Sequence, residues 1–176
     1  RKNGNEVQVC NRTPSRAQAL ESEGAKAFQN VADAVKAAVF IPVPLRGDAR
    51  VDEVLKNAEA GLKPGALIID HTTISVDGAI ARTKAWKAKG FTYLHAPVFM
   101  GPPNALESTG YMLVSGDQDV IKKTEAELSK MTGKLLNLGA DEGKAAGMKL
   151  AGNLFLQVMT AGISDMLALT KALGIS

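Results

Sequence analysis

The sequence predicts an α/β domain, with a mostly parallel sheet covered by helices on both faces and a long helix behind it. Three observations predict this. Short apolar runs alternate with helix-like stretches through residues 1–140. Several of those runs are nearly continuous, as in strands that are buried on both sides. From about Asp141 to Leu173 the helical pattern then continues without a strong breaker.

The strands read in order as "EVQVC" (6–10), "AAVFIPVP" (37–44), "ALIID" (66–70), "FTYLHAPV" (91–98), "GYMLVSG" (110–116) and "KLLNLG" (134–139). Between them "SRAQALESEGA", "VADAVKA", "RVDEVLKNAEAGL", "SVDGAIARTKAWKAKG" and "DQDVIKKTEAELSKMTG" read as helices. Gly61, Pro64, Gly90 and Gly133 punctuate their ends. In the last helix Lys149, Asn153, Gln157, Thr160 and Ser164 share an arc of roughly 80°. Leu150, Leu154, Phe155, Val158, Met159, Ile163 and Met166 fill most of the remaining circumference, which predicts a largely buried helix with one polar stripe. Ala145, Ala146, Gly147, Ala151 and Gly152 would let another backbone or a ligand approach closely.

Composition narrows the function. The 176 residues are 45% hydrophobic and 22% charged, as in an ordered globular chain that forms one domain or part of a two-domain protein. A net charge of +3, 5% aromatics and no basic cluster interleaved with aromatics argue against a nucleic-acid partner. No apolar span reaches the about 18 residues of a membrane helix. The opening "RKNGNEVQV" is not a secretory signal, so no membrane partner and a cytoplasmic setting are expected. The single Cys10 excludes an internal disulfide framework and a cysteine-based zinc site, and no metal is expected.

Three strand ends carry candidate chemistry. Asn11-Arg12-Thr13 follows the first strand and precedes Pro14, a helix start that Thr13 or Ser15 could cap. At the matching place in a dinucleotide-binding sheet an acidic residue suits a free ribose hydroxyl and an arginine a 2′-phosphate, so the tripeptide points to NADP over NAD. It also reads as an ordinary capped turn with a solvated arginine. "LIIDHTTIS" delivers Asp70, His71, Thr72 and Thr73 to the ligand side of a parallel sheet. The threonines could hold a carboxylate or a ribose, or Thr73 or Ser75 could simply cap the next helix. His71 reads better as packed or solvated than as a base, and His95 as structural. "HAPVFMGPPNALESTGYMLVSG" holds a loop stiffened by Pro97, Pro102 and Pro103, which could turn backbone N–H groups toward an anion.

In order and spacing, these stretches resemble the β-hydroxyacid dehydrogenase family. That family includes 3-hydroxyisobutyrate dehydrogenase, tartronate semialdehyde reductase and glyoxylate/succinic semialdehyde reductase. "NRTPSRAQAL" resembles its cofactor-selecting turn and "GLKPGALIIDHTTIS" its Asp-x-Ser-Thr segment. "HAPVFMGPPNALESTGYMLVSGD" resembles its substrate loop, and "GKAAGMKLAGNLFL" its Gly-x-x-x-x-x-Lys-x-x-x-Asn signature. The resemblance implies a Rossmann-like domain over 1–140 and, over 141–176, an interdomain helix that begins an all-helical domain. The family's first strand with its Gly-x-Gly-x-x-Gly turn, and the rest of its helical domain, have no counterpart here.

The resemblance makes Lys149 the catalytic acid/base, with Asn153 and Thr72 at the substrate. Val98, Phe99, Met100 and Gly101 would form the substrate loop. Val43, Pro44 and Thr73 would line the cofactor beside Asn11, Arg12 and Thr13. It implies a small hydroxyacid or semialdehyde substrate and a homo-oligomer. Reduction of glyoxylate or succinic semialdehyde is the alternative within the class. A non-catalytic dinucleotide-binding or assembly module is the alternative outside it. One departure stands out: Pro97-Val98-Phe99-Met100-Gly101 replaces the family's Pro-Val-Ser-Gly-Gly. Carboxylate binding there would fall to backbone N–H groups, and a semialdehyde with a more apolar body becomes a plausible substrate.

Overall fold

The computed structural model describes residues 4–175. Strand β1 (Gln8–Cys10) and strand β2 (Lys26–Phe28) pair in parallel as a small sheet of their own. Helix α1 (Pro14–Gln18) and a 3-10 turn (Ala19–Glu21) connect them. Helix α2 (Val31–Val35), capped by the Asn30 side chain, packs on both strands. Next come β3 (Phe40–Val43), β4 (Leu67–Asp70) and β5 (Thr92–His95), parallel and in that order. Helices α3 (Asp48–Ala58) and α4 (Val76–Ala88) link these three strands.

Beyond β5 the chain passes Pro97 into β6 (Val98–Phe99), which runs antiparallel to β7 (Tyr111–Val114). β8 (Lys134–Asn137) pairs in parallel on the far side of β7. Helix α5 (Pro102–Glu107) joins β6 to β7, and α6 (Gln118–Ser129) joins β7 to β8. Helix α7 (Lys144–Ala172) closes the described chain. Among the described residues β1 and β3 each hydrogen-bond to a strand on one side only.

β4 is the spine. All four of its residues are buried, and alternation sends them into two cores. Ile68 packs with Val51, Leu55, Ala79, Trp86 and Tyr93 beneath α3 and α4. Leu67 and Ile69 pack with Leu94, Met112, Ile121 and Leu128 beneath α6. Both faces are therefore covered, as the unbroken apolar run predicts.

Four elements differ from the sequence reading. β2 carries no run of its own, and only its pairing with β1 makes Lys26–Phe28 a strand. The expected strand 91–98 divides, because the Pro97 carbonyl accepts the Leu113 N–H and carries the chain across to β7. The expected loop after Gly101 starts as α5, since Pro102 and Pro103 preset helical φ at its first turn. Finally, α7 buries only Ala145, Ala146 and Lys149. Its apolar side is open, with Leu154 61% and Phe155 62% exposed, because no described element packs against the helix past Asn153. Among the described residues no helix is long and apolar enough to cross a membrane.

Replacing Ile68 by Ala should lower unfolding free energy by about 2–5 kcal/mol, the range for emptying a well-packed aliphatic site. Urea denaturation should show a lower midpoint at unchanged slope. A loss smaller than about 1 kcal/mol would contradict the tight packing assigned to β4.

Candidate active site

Helix α7 is anchored at its first turn. The Ala145 N–H bonds Ser115 Oγ at the end of β7 (3.0 Å), and Ala146 joins the core beneath α3 and α4. Gly143 lets α4 come close, because a Cβ there would lie 2.8 Å from Val76 Cγ1. This anchoring carries Lys149 inward to 9% exposure. Its Nζ lies 4.0 Å from the centre of the Phe99 ring, a cation–π contact. No carboxylate among the described residues reaches ion-pair distance of it. Burial lowers its proton affinity below that of an ordinary lysine.

The Phe99 ring also meets the helix at Gly152. A Cβ on residue 152 would stand 2.4 Å from Phe99 Cζ, so the small residue of that turn is what admits the ring. Asn153 is half-buried one turn beyond Lys149, on the same side of α7. Val98 and Met100 pack against the core beneath α6. The Gly101 N–H is already taken by Asn104 Oδ1 (2.9 Å), which removes it from the anion-binding loop the sequence suggests.

Thr72 occupies a different place from the one expected. It is 1% exposed; its hydroxyl donates to the Val43 carbonyl (3.1 Å) and accepts the Leu45 N–H (2.9 Å). It ties the end of β4 to the loop after β3. The Val43 side chain is likewise in the core, and its carbonyl accepts from Thr72 and from the His71 N–H. Pro44 is exposed, and Thr73 is half-buried in a bridge with Arg46. Ser75 caps α4 by accepting the Gly78 N–H.

Beneath this surface Asp70 is fully buried, accepting from the Tyr93 hydroxyl (2.6 Å) and the Thr72 N–H (2.8 Å). Burial, then the Asp70 charge, push the Tyr93 phenol above its ordinary range. Both histidines are packed. His71 Nδ1 lies 2.7 Å from the Ala96 carbonyl and His95 Nε2 lies 2.9 Å from the Thr72 carbonyl. A carbonyl only accepts, so each ring proton sits on the nitrogen facing it. The opposite nitrogens, His71 Nε2 and His95 Nδ1, are buried without a partner. A second proton would find no acceptor there. Burial depresses both proton affinities, outweighing the carbonyl bonds and the nearby Asp70.

One tether escaped the sequence reading. Buried Arg82 on α4 reaches Asp52 (2.6 and 2.9 Å) and Asp48 Oδ1 (2.7 Å) on α3, and Asp48 Oδ2 accepts the Ser75 N–H (3.0 Å). Burial pushes the Asp48 carboxyl up, but the Ser75 N–H and Arg82 together hold it below the ordinary carboxylate range. The tether fixes the loop after β3 against the turn after β4. Its partners are 30 and 34 residues away from Arg82, so no local motif announces it.

Asn11, Arg12 and Thr13 lie at the carboxyl end of β1, on the other sheet from β4. Asn11 Oδ1 accepts the Thr13 N–H (2.9 Å), and Thr13 holds the N-cap position of α1 without a side-chain cap bond. Arg12 is exposed and unpaired among the described residues. A cation and a free amide nitrogen, with no acidic residue in the turn, suit a phosphate.

Residues 1–139 match the model for the NAD binding domain of 6-phosphogluconate dehydrogenase. The chain belongs to that family. A Drosophila melanogaster mitochondrial 3-hydroxyisobutyrate dehydrogenase is 27% identical over 175 residues, covering 99% of this chain and 54% of its own length. The solved Mycobacterium tuberculosis 3-hydroxyisobutyrate dehydrogenase with L-serine superposes with TM-score 0.88 at 27% identity, over 99% of this chain and 60% of that one. An imine reductase from Myxococcus stipitatus in complex with NADP+ gives TM-score 0.91 at 25% identity, over 99% and 61%. The chain thus spans little more than half the length of these relatives. The family is one of NAD(P)-binding oxidoreductases, and this domain is the Rossmann-like part of it.

The buried histidines make stability pH-dependent in one direction. Their folded proton affinities lie below the unfolded value near about 6.5, so stability is complete above that pH. It should fall as pH drops toward the folded values, by up to about 1.4 kcal/mol per pH unit for each ring. Urea unfolding at pH 7.5, 6.5 and 5.5 should show this decline, and His71→Gln or His95→Gln should flatten it. Equal slopes in wild type and both variants would contradict the neutral assignment.

Proposed function

We propose that the protein containing this domain is an NADP-dependent oxidoreductase acting on a short hydroxyacid or the matching semialdehyde, with Lys149 as its proton donor and acceptor. The observation that carries the reading is Lys149 itself, a buried cation with no carboxylate partner among the described residues, held beside an aromatic ring at the ligand end of a parallel sheet. When bound, the nicotinamide supplies or takes the hydride at the substrate's carbinol carbon. Lys149 gives its proton to the carbonyl oxygen in reduction and takes the hydroxyl proton in oxidation. Its positive charge also favours the negative charge that develops on that oxygen. Asn153 orients the substrate from the next turn without adding a titrating group.

Arg12 and the Asn11 amide would hold the 2′-phosphate, with Thr13 completing the turn. Pro44 and Thr73 would line the nicotinamide half, on a surface braced by Thr72, Val43 and the Arg82 tether. The mycobacterial relative's L-serine supports a small polar substrate, and the NADP+ and NAD+ of the two imine reductase structures support a nicotinamide dinucleotide of either kind, so that the NADP reading rests on Arg12 and Asn11. The open apolar side of α7 supports assembly with further protein, and a homo-oligomer is the reading we carry forward.

In the full-length protein, Lys149→Ala should reduce turnover by about 10²- to 10⁴-fold with NADPH affinity unchanged. Stopped-flow NADPH oxidation beside fluorescence titration measures both, and retained turnover would sink the assignment. Arg12→Ser should weaken NADPH binding by about tenfold or more and NADH binding by far less. Equal losses for the two cofactors would refute the 2′-phosphate contact.

A further inference from the structure

The backbone ladder between β4 and β5 stops where the two strands part, and two histidines take over from it. Asp70 stands in register with His95, and the Ala96 N–H bonds the Asp70 carbonyl (2.8 Å). The next two bonds of a parallel ladder would run from the Thr72 N–H to the Ala96 carbonyl and from the Val98 N–H to the Thr72 carbonyl. Instead the Thr72 N–H turns onto Asp70 Oδ1 (2.8 Å), and Val98 pairs with Met112 on β7. Both carbonyls are met all the same. The Ala96 carbonyl accepts from His71 Nδ1 (2.7 Å) and the Thr72 carbonyl from His95 Nε2 (2.9 Å). Ala96 and Thr72 are buried, so without the rings each carbonyl would be left unpaired away from water.

The position of these two bonds gives them a further role. Past them β4 runs on into Thr73, which bridges to Arg46, and β5 runs on through Pro97 into Val98 and Phe99, whose ring meets Lys149. On its other side the His71 N–H continues the ladder to the Val43 carbonyl of β3 in the ordinary way (3.1 Å). His71 thus joins β4 to the ends of both neighbouring strands, by backbone on one side and by ring on the other.

We propose, resting on the oxidoreductase reading above, that His71 and His95 are positioning residues: their imidazoles stand in for the two missing ladder bonds and set the distance between the cofactor turn at Thr73 and the substrate segment at Val98 and Phe99 beside Lys149. Neither ring moves a proton in the reaction, since each N–H is held by a carbonyl and the opposite nitrogen is buried without a partner.

The test is single-turnover NADPH oxidation by the full-length protein in stopped flow, with succinic semialdehyde or glyoxylate, whichever wild type reduces faster. His71→Leu removes the donor and should slow hydride transfer by about 10²-fold, the cost of a misplacement of about 1 Å, with NADPH affinity unchanged. His71→Asn, whose amide nitrogen can replace Nδ1 as a donor, should restore most of the rate, and His95→Gln should do so against His95→Leu. A role in packing alone would not distinguish variants by their donor. An amide variant as slow as its leucine counterpart in either pair, or a folded leucine variant at the wild-type rate, would overturn the proposal. Should the leucine variants not fold, nitrogen NMR of the wild-type imidazoles decides, with the proton on Nδ1 of His71 and on Nε2 of His95 expected and the opposite tautomer at either one fatal. Failure of the underlying reading looks different: wild type would bind NADPH and reduce neither probe, with both tautomers as stated, and the positioning role would fall with it.

Discussion

Burial of the carboxyl end of β4 is the constraint on which the rest of the site depends. A strand covered on both faces has no water at its end, so each polar group delivered there must find a partner inside the protein. Asp70 takes the Tyr93 hydroxyl and the Thr72 N–H, Thr72 takes Val43 and Leu45, and the Thr72 carbonyl takes His95. These bonds also lock β3, β4 and β5 at the level where ligands meet a parallel sheet. Rigidity at the site is a by-product of satisfying buried groups. Half-buried Thr73 and exposed Pro44 therefore rest on a floor with little freedom to shift.

The parts of the fold legible in the sequence are those whose signal is local. The run "ALIID" announces a doubly covered strand because burial on both faces demands apolar residues at every position. β2 was not legible, because a three-residue strand has no periodicity and exists through its partner. α7 was legible as a helix but not in its burial, since the apolar circumference of Leu154, Phe155 and Ile163 says only that a partner is needed. The site divides in the same way. Lys149 and Asn153 announce themselves through helical spacing. Thr72's inward hydroxyl, the Arg82 tether and the histidine tautomers depend on pairings across strands and helices that no short window contains.

The electrostatics sort the buried charges into two kinds. Arg82 and Lys149 are the buried cations among the described residues, and the fold treats them oppositely. Around Arg82 two aspartates and a backbone carbonyl take up the guanidinium donors, so that burial is outweighed and the charge is held firmly. Such a group braces structure, with four of its five N–H donors bonded within the protein. Lys149 has among the described residues no carboxylate at ion-pair distance, and it lies over the face of Phe99, whose attraction is weak beside two hydrogen-bonded carboxylates.

An ammonium buried in this way costs stability that the described chain does not recover, and the simplest relief would be a leucine or methionine in its place. The sequence keeps the lysine, one turn after Ala145 and Ala146 and one turn before Gly152 and Asn153. What the lysine gains from that position is a loosely held proton and a face free to meet an oxygen atom. The Phe99 ring reconciles the two demands. It shields the ammonium from water, which keeps the proton loosely held, and as a π face it supplies some attraction without a counter-charge that would tie the lysine down. A carboxylate in that position would form an ion pair and raise the proton affinity of Lys149. The Phe99 ring and the role proposed for Lys149 are thus one arrangement seen from two sides.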